Sequence, residues 1–430
     1  MKHLFRERST KGFPELPLLA ATQRHGVILK SSYETRTVTA EKDLHLLKLV
    51  EPGDFVISLR SFEGGIEVSH ERGIISPAYT VLTPVNADFG LYARYLLKSA
   101  LFVSGLRLAV TGIREGQNID YSVLGETHLP VPPDEELGSI VRFISHTNQR
   151  IDRFVESKRK LIALLEEQKQ AIVNQIVTRG LDPSTQLKPS GVPWLGHIPA
   201  HWQLTRTKYL FREVDHRSET GSEEQLSVSH LTGVTPRSQK NVTMFKAASY
   251  VGHKVCQPGD LVINTMWAWM AALGVAFEVG IVSPAYGVYR PLKTNVLNPA
   301  FADYMFRAEA YRRNYLAHST GVRASRLRLY PDKFLALCVA LPGLEEQEAI
   351  VDEIAVRTSK ARQAIKQATR EVKLIEEYRK RLISDVVTGQ LDVCGAEIPD
   401  ARDGDATLDE FLGERVSEFE EELEFAEAEA

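Results

Sequence analysis

The feature that most constrains this chain is a long helical pattern that occurs twice. The first copy spans residues 133–178 and the second residues 343–388, and the two align without a gap at a separation of 210 positions. Solenoid repeats recur roughly every 20 to 50 residues, so a period this long indicates two copies of a larger unit. We therefore expect two globular domains, each followed by its own long helix.

Both helical copies carry apolar side chains at positions seven apart, which is the spacing of a coiled coil. In the first copy, the heptad positions are Ile144, Ile151, Lys158, Leu165 and Ile172, and Lys158 weakens an otherwise apolar series. In the second copy, they are Ile354, Ala361, Ala368, Ile375 and Leu382. A helix of about 44 residues extends for roughly 65 Å at about 1.5 Å per residue. Because neither helix can bury its apolar stripe alone, we expect the two to form an antiparallel coiled coil with a pseudo-two-fold internal repeat.

Short motifs recur in the same order in the two globular parts. They are Pro-Gly-Asp at 52–54 and 258–260, Ser-Pro-Ala-Tyr at 76–79 and 283–286, and Thr-Gly-x-Arg at 111–114 and 320–323. Each motif combines turn residues with short apolar runs that are typical of strands. The order predicts an α+β protein in which two globular α/β-type domains, each a mixed sheet with a few helices, are separated by the two long helices. We expect Ser-Pro-Ala-Tyr to form a structural turn with a packed tyrosine.

The same pattern sets the expected boundaries. They are residues 1–133 for the first domain, 134–180 for the first helix, 181–343 for the linker and second domain, 344–392 for the second helix, and 393–430 for an acidic tail that we expect to be disordered. Residues 190–202, named here the lead-in segment, contain two tryptophans and are expected to pack on the second domain. The first domain lacks their counterpart, because Met1 aligns with Arg206 or Thr207. Whether the first domain is complete stays open.

Charge is distributed unevenly along the chain. The net charge is −4, but residues 394–430 contain 14 acidic and 2 basic residues, which leaves +8 on the first 393 residues. A basic body suits a polyanionic partner. The three cysteines are isolated in sequence, and neither an apolar run of about 18 residues nor an apolar N-terminal signal region occurs. This pattern favours a cytoplasmic protein without a membrane partner.

The sequence gives little support for catalysis. It contains no Gly-x-x-x-x-Gly-Lys-[Ser/Thr] loop, no Gly-x-Gly-x-x-Gly loop and no His-Glu-x-x-His pair. The run Asn298-Pro299-Ala300-Phe301 matches an amino-methyltransferase turn only in part, and it fits the start of a helix better. We therefore expect no catalytic residue, no metal site and no cofactor in this chain.

Over about residues 2–392, the chain resembles the specificity subunits of type I restriction-modification enzymes. The resemblance rests on the duplicated motifs together with Gly-Leu-Asp-Pro at 180–183, the lead-in pattern Ser-Gly-Val-Pro-Trp-Leu-Gly-x-Ile-Pro-x-His-Trp, and Leu-Glu-Glu-Gln at 344–347. It implies a non-catalytic subunit whose two target-recognition domains read a bipartite, asymmetric sequence in double-stranded DNA. It also implies that the paired helices dock two methylation subunits, which restriction subunits then join. S-adenosylmethionine, ATP and Mg²⁺ would serve those partners, which supply adenine-N6 DNA methyltransferase and ATP-dependent endonuclease activities.

We expect base-reading residues among the positions that differ most between the two copies within the matched frame. These are Gln23, Arg24, His25, Arg60 and Ser61 in the first domain, and Ser229, His230, Asn264, Thr265 and Trp267 in the second. Arginine and histidine can pair with guanine, and asparagine or glutamine with adenine, in the major groove. A role in the surface or the fold stays open for each residue, and Trp267 fits core packing as well as stacking on DNA.

Both copies keep an arginine after Thr-Gly. For these two residues, Arg114 and Arg323, binding of a DNA phosphate and a hydrogen bond to neighbouring carbonyls are both open. Further polar residues on the same loops are candidates for DNA contacts, namely Gln117, Asn118, Ser325, Arg326 and Arg328.

The long helices also carry apolar side chains outside the heptad series. We expect Ile162, Val173, Val372 and Ile383 to lack a partner within the chain, which fits a docking surface for other subunits. Two other functions stay open. One is a free-standing DNA-modifying enzyme with fused recognition domains, although the sequence lacks its cofactor loop. The other is a coiled-coil adaptor without DNA recognition, which the basic body disfavours.

Overall fold

The computed structural model describes residues 1–23, 26–33, 43–59, 61–106, 110–111, 118–240, 249–321 and 327–396. Contacts between residues divide the chain into two units, Met1–Lys160 with Ala368–Ala430, and Leu161–Gln367. Each unit therefore contains one globular domain together with part of each long helix. The predicted tail lies almost entirely outside the described residues.

The first domain is built on a four-stranded sheet in the order Phe5–Arg8, Thr80–Pro84, Phe55–Ile57 and Glu67–Val68. Its strand pairs are Leu19–Thr22 with Gly26–Leu29, Lys48–Val50 with Gly73–Ile75, and Val110–Thr111 with Asn118–Ile119. Its described helices are Ser61–Gly64, Ala87–Leu96, Ala100–Leu106 and Tyr121–Leu124, with 3-10 turns at Lys30–Ser32 and Leu44–Leu46. In the core, Phe5 packs edge-on against Phe55 and Phe89.

The second domain repeats this arrangement. Its four-stranded sheet has the order Phe211–Glu213, Gly287–Pro291, Leu261–Ile263 and Leu273–Val275. Its strand pairs are Leu226–Ser229 with Gly233–Pro236, Lys254–Cys256 with Gly280–Val282, Leu187–Pro189 with His197–Pro199, and Gln203–Arg206 with Cys338–Leu341. Its described helices are Pro299–Arg307, Glu309–His318 and Pro331–Ala336, with 3-10 turns at Thr207–Tyr209, Arg237–Gln239 and Ala268–Met270. The sheet and the first two pairs match the first domain strand for strand, so the predicted duplication is confirmed.

The predicted mixed sheet is wrong, because every named strand pair among the described residues is antiparallel. Parallel contacts are limited to single bridges, such as Leu18 with Ile74 and Gln225 with Ile281. The pairs Leu19–Thr22 with Gly26–Leu29 and Leu226–Ser229 with Gly233–Pro236 are hairpins whose short turns reverse the chain, whereas parallel neighbours need long crossover connections.

The Pro-Gly-Asp motif forms a tight turn whose aspartate is buried. Gly259 adopts a φ of 91°, which favours glycine, and the Asp260 carboxylate accepts a hydrogen bond from the Gln257 N–H at 2.8 Å. The same carboxylate binds the Arg290 guanidinium through two contacts, of 2.9 and 2.7 Å. In the first domain, Asp54 pairs with Arg8 at 2.8 Å, and Arg8 lies on the edge strand, two places away in the sheet order. In both domains the motif therefore connects a turn to another strand of the sheet.

Two other predicted turns are also confirmed. In Ser-Pro-Ala-Tyr, the tyrosine N–H donates to the serine carbonyl, at 3.1 Å for Tyr79 and 3.0 Å for Tyr286. The Asn298 side chain accepts hydrogen bonds from the Ala300 and Phe301 N–H groups at the start of a helix. Asn298 is therefore a helix cap.

Within the first unit, the two long helices pair antiparallel. The first long helix spans Asp134–Arg179 and the second Leu344–Val387. Ile151 and Ile375 lie in one buried cluster, and ion pairs flank it between Asp152 and Arg379 at 2.7 Å and between Lys158 and Glu371 at 2.8 Å. Residue numbers rise along one helix as those of their partners fall along the other. The predicted antiparallel coiled coil is thus confirmed in this unit.

Within the second unit, the end of the first long helix and the start of the second belong to one core. Val173 and Ile176 share a buried cluster with Ile350 and Ile354. The expectation that Val173 lacks a partner is wrong, since its side chain is only 6% exposed. Val372 and Ile383 are also partly buried against apolar clusters of the first unit. These positions were misassigned because the globular domains, as well as the facing helix, cover the helix surface.

Candidate nucleic-acid interface

The first predicted reading segment follows the strand Leu19–Thr22, which pairs with Gly26–Leu29. Gln23 follows the strand Leu19–Thr22, whereas Arg24 and His25 lie outside the described residues. The Lys98 ammonium donates to the Gln23 carbonyl at 3.4 Å and forms an ion pair of 2.6 Å with the Glu67 carboxylate. A cation from the turn between two helices therefore connects this segment to a buried carboxylate in the sheet.

The Glu67 carboxylate lies in an unusual environment for an acid. Its side chain is only 3% exposed. Burial raises the pKa of Glu67 to about 6, against the opposing effect of the Lys98 ammonium. The ion pair beneath the first reading segment is therefore sensitive to mildly acidic pH.

The second turn, at residues 229–233, is held in a comparable way. The Arg307 guanidinium donates to the Leu231 carbonyl at 2.7 Å and pairs with the Asp303 carboxylate at 3.1 Å. Gly274 makes room for this pair, because a Cβ atom there would come within 2.7 Å of an Asp303 carboxylate oxygen. His230, a predicted reader, lies exposed on the turn.

A second cation contacts the same turn. The Lys240 ammonium donates to the Thr232 hydroxyl at 2.6 Å. Desolvation and, secondarily, the nearby Arg307 charge lower the pKa of Lys240. Two positive groups therefore lie close to a turn that presents a histidine to solvent, an arrangement suited to a polyanion.

Sequence reasoning missed the residues that hold the turns, namely Lys98, Glu67, Arg307, Asp303 and Lys240. Asp303 and Arg307 stand four residues apart on a helix, which is a recognisable ion-pair spacing. Their contact with the turn has no sequence signal, because it joins residues about 75 positions apart.

Two predicted readers, Asn264 and Thr265, lie at a junction of loops. The Asn264 side chain is 6% exposed and donates to the Tyr286 hydroxyl at 3.0 Å. The Thr265 hydroxyl donates to the Ala285 carbonyl at 2.9 Å, and its own carbonyl accepts from the Leu329 N–H at 3.0 Å. The buried amide of Asn264 therefore supports the Ser-Pro-Ala-Tyr turn.

Backbone pairing joins the described residues on either side of each Thr-Gly-x-Arg segment. Asn118 pairs with Thr111 in the first domain. In the second, Thr320 and Arg328 exchange backbone hydrogen bonds of 3.0 and 2.9 Å. The loop residues Arg114, Gln117, Arg323, Ser325 and Arg326, like Arg60, lie outside the described part of the chain.

The remaining candidates differ in exposure. Trp267 is 50% exposed and stacks on Trp269, with ring centroids 5.9 Å apart. Ser61 is buried, and its hydroxyl accepts a hydrogen bond from the Ser58 N–H at 2.9 Å. The Ser229 hydroxyl accepts from the Leu231 N–H at 3.2 Å within the second turn. Trp267 and His230 are thus the predicted readers with the most accessible side chains in the described second domain.

Among the described residues, no group of three or more histidine, cysteine, aspartate or glutamate side chains is arranged to hold a metal ion. No helix in the same part of the chain combines the length and apolar character needed to cross a membrane.

Comparison with known proteins identifies one group. The chain is 22% identical, over 366 residues and 80% of each sequence, to the type I restriction enzyme MjaVIII specificity subunit of Methanocaldococcus jannaschii. In fold, it is similar to a solved chain from work on complex assembly and conformational transition of the type I R-M system. That similarity has a TM-score of 0.56 at 15% identity and covers 90% of this chain and 98% of the other. No family model matches the sequence. The resemblance drawn from the motifs is thereby confirmed.

Proposed function

We propose that this chain is the DNA-specificity subunit of a type I restriction-modification complex. It recognises a bipartite, asymmetric sequence in double-stranded DNA and positions the methylation and restriction subunits. The observation that carries this proposal is the duplication itself. Each of two matching domains presents a hairpin turn held by a cation and a carboxylate, and each adjoins an antiparallel pair of long helices.

In this proposal, side chains on the turns contact the bases, and the surrounding cations fix the position of each domain along the DNA. His230 is exposed at the second turn, and imidazole can donate to the acceptors of guanine in the major groove. Lys240 and Arg307 add positive charge beside it, which favours approach to phosphates without specifying sequence. The Thr-Gly-x-Arg loops, which carry Arg114 and Arg323, are a second set of phosphate contacts. Because the two turns differ in sequence, the two half-sites differ as well.

The chemistry of the complex belongs to partner subunits. The chain supplies no catalytic residue in this proposal, and S-adenosylmethionine, ATP and Mg²⁺ bind to two methylation subunits and to the restriction subunits. The long helices offer exposed apolar side chains for docking these partners. In the second unit, these are Leu161, Leu164 and Val356, which are 42%, 64% and 69% exposed.

The test is a map of methylated adenines in cells that express this chain with its methylation subunit. We expect one split motif with a fixed unread gap. The variant His230→Ala should relax only the half-site read by the second domain. Methylation by the chain alone would instead establish a free-standing enzyme. No sequence preference in the assembled complex would favour an adaptor and contradict the proposal.

A further inference from the structure

The turn at residues 229–233 carries an exposed leucine between two polar residues. Leu231 is 75% exposed, the largest exposed fraction of any large apolar side chain in the described part of the chain. Its neighbours His230 and Thr232 are also exposed, but both have polar side chains. A single exposed leucine is ordinary on a protein surface, so its exposure alone indicates no function. The backbone of Leu231 supplies a second observation.

Both polar groups of the Leu231 backbone are fixed by side chains. Its N–H donates to the Ser229 hydroxyl at 3.2 Å, and its carbonyl accepts from the Arg307 guanidinium at 2.7 Å. The same guanidinium lies 3.4 Å from the His230 carbonyl, so it contacts two successive peptide groups. Ordering a surface turn costs conformational entropy, and a turn that is ordered in advance avoids this cost when a ligand binds. The leucine is therefore held in one position before any partner arrives.

The support of Leu231 extends to the sheet of the second domain. Asp303 and Arg307 lie on the helix Pro299–Arg307 and form an ion pair of 3.1 Å. The Asp303 carboxylate also accepts a hydrogen bond of 3.0 Å from the Val275 N–H, on the strand Leu273–Val275. One ion pair thus connects the Leu231 carbonyl to the sheet, which suits a side chain that must meet its target with a precise geometry.

Cations lie beside this apolar side chain. The Lys240 ammonium donates to the Thr232 hydroxyl at 2.6 Å, and the Arg307 guanidinium contacts the Leu231 carbonyl. This arrangement suits a partner that combines negative charge with a small apolar group. Double-stranded DNA has both, because phosphates line its grooves and each thymine presents a C5-methyl group in the major groove.

We propose that Leu231 recognises a thymine in the half-site read by the second domain, by packing its side chain against the C5-methyl group in the major groove. This inference rests on the proposed function and names one base that this domain reads. Leucine has neither a donor nor an acceptor, so it takes no part in recognition by hydrogen bonds. The thymine methyl is the apolar feature that base edges offer in the major groove.

The first domain carries a different residue at the same place. Thr22 pairs with Gly26 as Ser229 pairs with Gly233, so residues 23–25 correspond to residues 230–232. Position 24, which lies outside the described residues, is an arginine and corresponds to Leu231. Arginine suits the acceptors of guanine, whereas leucine suits the methyl group of thymine. This difference within a shared frame supports a target whose two halves are unlike.

The test uses the full chain assembled with its methylation subunits and duplexes that carry the mapped target. Each thymine of the two half-sites is replaced in turn by deoxyuridine, which keeps the hydrogen-bonding groups of thymine and lacks its methyl group. We expect one replacement to weaken binding about fourfold, the factor for burial of one methyl group. It should lie in the half-site that His230→Ala relaxes. The variant Leu231→Ala should bind the thymine and deoxyuridine duplexes equally.

A matched control is Leu292→Ala, a change at another exposed leucine of the second domain, which should keep the fourfold ratio. Because Leu231 is exposed, Leu231→Ala should keep its fold by circular dichroism and its assembly with the methylation subunits. Loss of that assembly would overturn the inference, since the leucine would then contact a protein.

The remaining outcomes separate this inference from the proposed function. A deoxyuridine effect that persists in Leu231→Ala would overturn the inference alone. The absence of any deoxyuridine effect, in a complex that still prefers its target, would do the same. A complex without sequence preference would overturn both.

Discussion

At the scale of single residues, the pair of Arg307 and Asp303 decides whether the second turn keeps its shape. We expect Arg307→Met to weaken binding of the complex to its DNA target by at least tenfold, or about 1.4 kcal/mol. The reason is that the Leu231 carbonyl loses its donor and the Asp303 carboxylate, 15% exposed, is left without its cation. Competition binding with oligonucleotides mutated in one half-site at a time measures the effect.

Lys98→Met is the matched change in the first domain. It should weaken discrimination between bases at the half-site read by the first domain, because Lys98 contacts the Gln23 carbonyl of that domain. If both variants weakened the same half-site, the assignment of one turn to each half-site would be wrong.

Glu67 gives the first domain a defined dependence on pH. Its pKa rises from 4.5 to about 6 on folding, so the folded chain binds more protons than the unfolded chain between these values. The free energy of unfolding should therefore fall as pH rises through this window, by about 2 kcal/mol at about 1.4 kcal/mol per pKa unit. Denaturation followed by circular dichroism should show this slope in the parent and not in Glu67→Gln. Glu71→Gln, a change at an exposed site, should keep the slope.

At the scale of elements, sequence patterns correctly predicted the features that depend on neighbouring residues, namely the heptad contacts and the turns. The heptad positions Ile151 and Ile375 meet as expected, and both Pro-Gly-Asp and Ser-Pro-Ala-Tyr form turns. The pattern could not indicate that Val173 is buried, because a globular domain contributes to the covering surface. Nor could it separate Asn264, whose amide is buried, from exposed His230. Both are polar residues in loops, and only tertiary contacts distinguish them.

The Pro-Gly-Asp turn is expected to be essential for its own domain. Asp260→Asn removes the charge that binds Arg290, and loss of one partner of a buried ion pair costs about 3–5 kcal/mol. Because Arg290 is 33% exposed and keeps some solvation, we expect a destabilisation of about 2–4 kcal/mol. Tryptophan fluorescence during denaturation reports it, since all four tryptophans lie in the second unit.

Asp54→Asn, the equivalent change in the first domain, is the control. It should lower the stability seen by circular dichroism while leaving the transition seen by tryptophan fluorescence in place. Equal shifts of both signals in both variants would mean that the two domains unfold as one unit.

At the scale of the whole molecule, duplication explains why one chain can carry two readers and still have one architecture. The strand order of the sheet and the buried Pro-Gly-Asp ion pair are repeated, while the turns that present side chains to solvent differ. A common frame tolerates such changes because the turn residues contribute little to the core. The second copy also pairs its closing strand, Cys338–Leu341, with the strand Gln203–Arg206.

If the paired helices set the distance between the two readers, lengthening them should change only the unread gap of the target. Insertion of seven residues after Ala163 and seven after Lys366 keeps the heptad register of both helices. It adds about 10 Å at about 1.5 Å per residue, equal to roughly three base pairs at about 3.4 Å each. Mapping of methylated adenines should show both half-sites unchanged and a longer gap. An insertion in only one helix should mismatch the facing heptads and lower stability. A change in either half-site would show that the helices take part in base reading rather than in spacing.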